Sequence, residues 1–125
     1  MRHHRRTTGC RGERLAETFL CRRGYTIIAR NFRTRAGEID LVAEEGGDIV
    51  FVEVKTRRSL RYGEPGLAVT PAKQRRLSKA ALAFLAARNQ LHRSARFDVV
   101  AIFLPADGAP QIELFTNAFD LCYGL

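Results

Sequence analysis

A chain of 125 residues, 46% apolar and 27% charged, has the length and composition of one globular domain that folds without disulfide staples. These values exclude a collagen, a disulfide miniprotein and a disordered chain, and no apolar run approaches the ~18 residues of a membrane span. Twenty-one Lys and Arg against thirteen Asp and Glu leave a net charge of +8, which favours a polyanionic partner.

The first residues, MRHHRRTTG, are basic with no apolar stretch behind them, which is not the pattern of a secretory signal. Residues 1–8 are expected to be a basic arm, with His3 and His4 solvated among arginines, and residues 9–125 a single domain. A helix is predicted over 9–23, because Leu15, Ala16, Phe19 and Leu20 form a stripe at helical spacing and Gly24 is placed to stop it. Residues 25–33 (YTIIARNFR) are rich in β-formers and predict a strand. Two alternating runs, GEIDLVAEEGGDIVFVEVKTR, then meet at Gly46-Gly47, a hairpin signal. Residues 58–69, with Gly63, Pro65 and Gly66, read as a loop. Thr70-Pro71 reads as the N-cap and first residue of a helix to about Arg88 that buries Leu77, Ala80, Ala81, Phe84 and Leu85. Strands at 95–103 and 111–115 complete the order αβββαββ, a mixed sheet flanked by helices. Cys10, Cys21 and Cys122 are odd in number and lack CxxC spacing, so they are expected to be reduced residues of a cytoplasmic protein.

The charge is unevenly placed. Residues 36–54 carry six acidic and no basic side chains, between a segment with ten basic residues (1–35) and one with eleven (55–96). If Gly46 and Gly47 are the turn, Ile39, Leu41 and Ala43 face Val54, Val52 and Val50 on one apolar side. The other side pairs Val42 with Phe51, Asp40 with Glu53 and Glu38 with Lys55. A one-residue slip would bury the charges, which supports this register. Like charges opposite each other repel. Either a divalent cation or a salt-bridge ladder from Lys55 and nearby arginines answers that repulsion, and the hairpin alone leaves both open. Glu44, Glu45 and Asp48 are expected to solvate the hairpin's exposed end.

The runs G-E-I-D-L (37–41) and F-V-E-V-K-x-R (51–57) resemble the YraN-like family of small bacterial proteins with a predicted endonuclease fold. That family lies in the PD-(D/E)xK, restriction-endonuclease-like superfamily. Gly12-Glu13 followed by Ala16, Gly24-Tyr25, Arg30-Asn31, Lys73, Arg76-Leu77, Ala80-Ala81 and Arg96-Phe97-Asp98 extend the resemblance over about residues 9–103. It implies a restriction-endonuclease-like α/β fold with metal-binding carboxylates at Asp40 and Glu53 and a catalytic lysine at Lys55. Related junction-resolving nucleases imply a further carboxylate at Glu13, with Glu17 the weaker candidate. Ile39 stands where the superfamily has its proline.

Such a donor set, with the carbonyl of Val54, suits Mg2+ or Mn2+ better than zinc. Arg57, Arg58, Arg61 and Tyr62 leave the active strand, and Lys73 and Arg76 open the second helix; these six are the candidate nucleic-acid contacts. Lys73 also shares a face with core Leu77, so a packing role stays open. Asp98, flanked by apolar residues, is expected to anchor an internal hydrogen bond. The implied function is a metal-dependent nuclease. Its expected partner is DNA, with no membrane and no small-molecule cofactor, and a homodimer is left open. No zinc finger or recognition helix is visible, so branched or single-stranded structures are the expected substrates. A non-catalytic nucleic-acid adaptor on the same fold, or a structural partner in a larger assembly, are the alternatives.

Overall fold

A computed structural model describes the backbone of residues 2–58 and 69–121, and side chains from residue 11 onward within those ranges. Its elements are α1 (Arg2–Arg22), β1 (Thr26–Arg33), β2 (Glu38–Glu45), β3 (Asp48–Arg57), α2 (Pro71–Ala87), β4 (Ala95–Phe103) and β5 (Gln111–Phe119), the predicted order. The strands form one five-stranded sheet in sequence order, β1-β2-β3-β4-β5. β3 and β4 run parallel, with α2 in the crossover between them, and the other neighbours are antiparallel. The result is the restriction-endonuclease-like α/β arrangement expected from the sequence.

The alternation of β3 explains the layering. Val50 and Val52 join Leu41, Ala43, Val100 and Ile102 beneath Ala16 and Leu20 of α1. Ile49 and Phe51 join Val42, Phe97 and Val99 beneath Leu77, Ala80, Ala81, Phe84 and Leu85 of α2. Both faces of the central strands are therefore buried, each large apolar side chain contributing about 1.5–3 kcal/mol. Phe84 fixes the α2 side, meeting Phe32 and Phe51 edge-on with ring centres 5.2 and 5.8 Å away. Thr70 caps α2 as predicted, its hydroxyl accepting the Lys73 N–H, and Pro71 occupies the first turn.

Gly46 and Gly47 both adopt positive φ (59° and 89°), as a tight hairpin turn requires. The register Leu41↔Val52, Val42↔Phe51 and Ala43↔Val50 is the predicted one. Glu44, Glu45 and Asp48 stay partly exposed at the hairpin's end, as expected, and are ion-paired as well: Arg93 takes Glu44, and Arg96 takes Glu45 and Asp48. Ile39 also departs from expectation. It joins the α2 cluster rather than the face of Leu41, because β2 leaves β3 at Asp40.

Two element boundaries differ from the sequence reading. Helical backbone runs through residues 2–8, so α1 begins well before residue 9. β5 continues past 115 to Phe119 through a bulge opposite β4 at Asn117 (φ 51°). Asp98, fully buried, makes that bulge possible by accepting the Asn117 N–H at 2.9 Å. The same carboxylate accepts the Tyr25 hydroxyl at 2.6 Å and Arg96 Nε at 3.1 Å, the internal anchoring expected of it. Phe119 then stacks on Phe97 with centroids 4.5 Å apart. Cys21 is a free, exposed thiol, and the Cys10 and Cys122 side chains lie outside the described residues. No described helix is long and apolar enough to cross a membrane.

Candidate functional site

The site begins where the hairpin ladder ends. β2 and β3 pair as far as Leu41↔Val52, and the next expected pairs (Asp40 with Glu53, Ile39 with Val54, Glu38 with Lys55) do not form. Asp40 Oδ2 instead accepts the Val54 N–H at 2.8 Å. The backbone donor freed by the parting strands is thus satisfied by a carboxylate, and the two acids are spared a directly opposed position. The opening is a pocket of about 340 Å³ whose lining includes Glu38, Asp40, Glu53, Val54, Lys73 and Arg76. A second, of about 550 Å³, is lined by Lys55, Thr56, Arg57 and Arg58 and shares Glu53, Val54 and Lys73 with the first. Together they make one cleft at the C-terminal end of β3, where the parallel crossover also brings the first turn of α2.

α1 packs against β3 on the other face of the sheet. Gly12 is buried against β3, and a Cβ there would lie 2.1 Å from Thr56 Oγ1, so the helix comes this close only because the residue is glycine. Glu13 follows it, half-buried, in the fields of Glu38 and Glu53. Asn31, held at φ 52° in β1, sets its amide against Glu38 Oε2 (3.1 Å) and Glu13 Oε1 (3.2 Å), and because carboxylate oxygens only accept, the amide orientation assigned here is the one whose nitrogen donates to both.

The electrostatics follow from burial. Asp40 is pushed up to about 8, first by desolvation and then by Glu53, against the lowering effect of the Val54 N–H. Burial, then Glu38, raises Glu13. Burial, then the neighbouring Lys73 ammonium, holds Lys55 below the usual lysine range. Lys73 Nζ meets Glu53 Oε2 at 2.5 Å. Among the described residues Asp40 has no ion pair.

Buried carboxylate and carbonyl oxygens of this kind fit a hard divalent cation such as Mg2+ or Mn2+. Asp40, Glu53 and the Val54 carbonyl would hold it. Among the described residues no three Asp, Glu, His or Cys side chains stand together as a ready metal cluster. Glu13 is therefore not closed onto the pair, and water and phosphate oxygens would complete the coordination.

Of the residues predicted from sequence, Asp40, Glu53, Val54, Lys55, Lys73 and Arg76 line the joined pockets, with Arg57 and Arg58 at the exit of β3. Glu17 points elsewhere and pairs with Arg30 at 2.5 Å. Arg61 and Tyr62 lie outside the described residues. Two participants were missed. Glu38, assigned to a ladder pair with Lys55, instead lines the pocket and adds its field to Asp40. Its position two residues from Asp40 on an alternating strand was the available signal. Asn31 was the other, an asparagine within a strand, the residue type that most readily tolerates positive φ.

Comparison with known proteins adds the following. Residues 12–102 match the profile described as Uncharacterised protein family UPF0102. Over 121 residues the chain is 57% identical to a UPF0102 protein of Geobacter sulfurreducens, covering 97% of this chain and 94% of that one. It is 56% identical over 120 residues to a UPF0102 protein of Geobacter metallireducens, covering 96% and 98%. For a UPF0102 protein of Symbiobacterium thermophilum the identity is 54% over 114 residues, covering 91% and 97%.

Proposed function

The chain belongs to the UPF0102 family, the YraN-like family that its motifs resemble, and we propose that it is a metal-dependent nuclease that hydrolyses phosphodiester bonds in DNA. The observation that carries the reading is the half-buried Asp40 and the buried Glu53 in a cleft shared with Lys55, Lys73 and Arg76. Asp40, raised by burial and by the neighbouring Glu53, is costly to the fold where it stands, and a perturbed acid in a cleft lined by cations is the mark of a working site.

Asp40, Glu53 and the Val54 carbonyl hold Mg2+ or Mn2+. When bound, such a cation supplies Lewis-acid activation of water and of the attacked phosphate. Lys55 orients the attacking water and meets the negative charge that builds on the phosphate; its lowered proton affinity suits a group that exchanges hydrogen bonds with water. Arg57, Arg58 and Arg76 hold the flanking phosphates, Arg by bidentate contact. No described element reads base edges, so the enzyme selects structure, branched or single-stranded, rather than sequence. The reading sets the reaction in the cytoplasm, which suits cysteines of odd number without paired spacing.

One observation favours a second reading, a nucleic-acid-binding adaptor that does no chemistry: Lys73 closes on Glu53, and the described carboxylates do not converge as three. Incubation with branched, single-stranded and duplex DNA separates the two. With Mg2+ or Mn2+ the wild type is expected to cleave at least one structure, and Lys55→Ala to lose about 10²–10³-fold in rate. Salt-sensitive binding without cleavage of any structure overturns the nuclease reading in favour of the adaptor.

A further inference from the structure

Glu53 has a side chain only 7% exposed. A carboxylate this far from water needs a counter-charge. Lys55, two residues along the strand, does not make the ion pair among the described residues; Lys73 does, from the second helix.

Lys73 stands where helix chemistry favours an acid. It is the third residue of α2 after the Thr70 cap, and that first turn contains no acidic residue. The third position is where a capping box places Glu or Gln, and the helix dipole disfavours a cation there. Its backbone is nonetheless held, the N–H donating to Thr70 Oγ1 at 3.2 Å. The side chain is 38% exposed and reaches from solvent to the buried carboxylate. A cation that breaks the local rule, half in water on a flexible stem, is not placed there for helix stability.

The charge balance gives it a purpose. Asp40 and Glu53 together present two negative charges when ionised, and one ammonium compensates only half of them. A divalent cation compensates both. Lys73 also lines both halves of the cleft, so its ammonium stands between them. We infer that Lys73 is an internal counter-ion that holds the cation's place on Glu53 and yields it when a divalent cation binds, turning toward the Lys55 side of the cleft. There its charge is set for a phosphate. This rests on the metal-dependent reading above, but it can fail independently of it.

The test is calorimetric titration of the full chain with Mn2+ alone, without nucleic acid, at one alkaline pH. Lys73→Met keeps the stem and removes the charge, so it is expected to bind Mn2+ on the order of tenfold more tightly than wild type. In EDTA it is expected to melt lower than wild type, with the deficit closing as Mn2+ saturates. Lys73→Gln, which retains a donor toward Glu53, is expected to follow the same ordering. Equal or weaker Mn2+ binding by both variants, with wild type binding, overturns the counter-ion role and leaves the metal site standing. No binding heat in wild type or either variant overturns both.

Discussion

Asp40 is held in a state that folding does not favour. Its folded pKa of about 8 lies above the ordinary 3.8 because burial and Glu53 both oppose ionisation. A carboxyl raised in this way contributes stability while protonated and loses that contribution as pH rises through its folded value. In the absence of divalent ions, the protein is therefore expected to lose stability from this group between about pH 4 and pH 8. Asp40→Asn keeps an acceptor for the Val54 N–H and removes the charge. In EDTA at alkaline pH it should be more stable than wild type by on the order of 1 kcal/mol, the gap shrinking toward acid pH. Thermal melts across pH measure this, and identical curves for the two proteins would show that the Asp40 charge is not strained. Asp40 and Glu53 stood out in the sequence, but the cross-strand pair expected of them does not form. The partner of Glu53 was not legible, because Lys73 reaches it across a crossover that strand alternation does not describe.

α1 owes its position to Gly12. A glycine inside a helix costs about 0.5–1 kcal/mol relative to alanine, so Gly12→Ala would stabilise an isolated helix. Here the added Cβ would meet Thr56 Oγ1 at 2.1 Å. The variant is expected to be destabilised by about 1–3 kcal/mol, and Thr56→Ala in the same chain to recover a large part of that loss. Denaturant unfolding of the four members of this double-mutant cycle measures the coupling. Full additivity would mean that α1 does not depend on this contact. β5 illustrates the reverse dependence. Thr116-Asn117-Ala118 is a weak strand sequence, and the strand resumes only because Asp98 of β4 takes the Asn117 N–H and Phe97 receives Phe119. A reading by local propensity ends that strand early for a sound reason: its last residues are specified by a neighbour.

Folding redistributes the molecule's charge. The acidic run of residues 36–54 is partly neutralised at its turn end by Arg93 and Arg96, and Lys73 takes Glu53. Asp40 remains without an ion pair among the described residues, half-buried in a cleft that Lys73 and Arg76 also line. The chain as a whole keeps a net charge of +8, which under the proposed nuclease reading favours a polyanion. If Arg57 and Arg76 each hold a phosphate, binding of DNA is expected to weaken steeply with salt. Each single Arg→Ala change should then reduce the slope of log K against log salt by about one. Fluorescence binding curves at several salt concentrations check this, and an unchanged slope removes that arginine from the interface.

By itself the sequence determined the order of elements, the glycine turn and the register of the hairpin near it. These depend on alternation, helical spacing and turn chemistry, which are local and written in residue order. The tertiary structure decided where the ladder stops, which helix residue answers Glu53, how closely Gly12 lets α1 approach and how far β5 runs. Each of these is a contact between residues far apart in the chain. Its energy depends on burial and unlike neighbours, which no window of sequence contains.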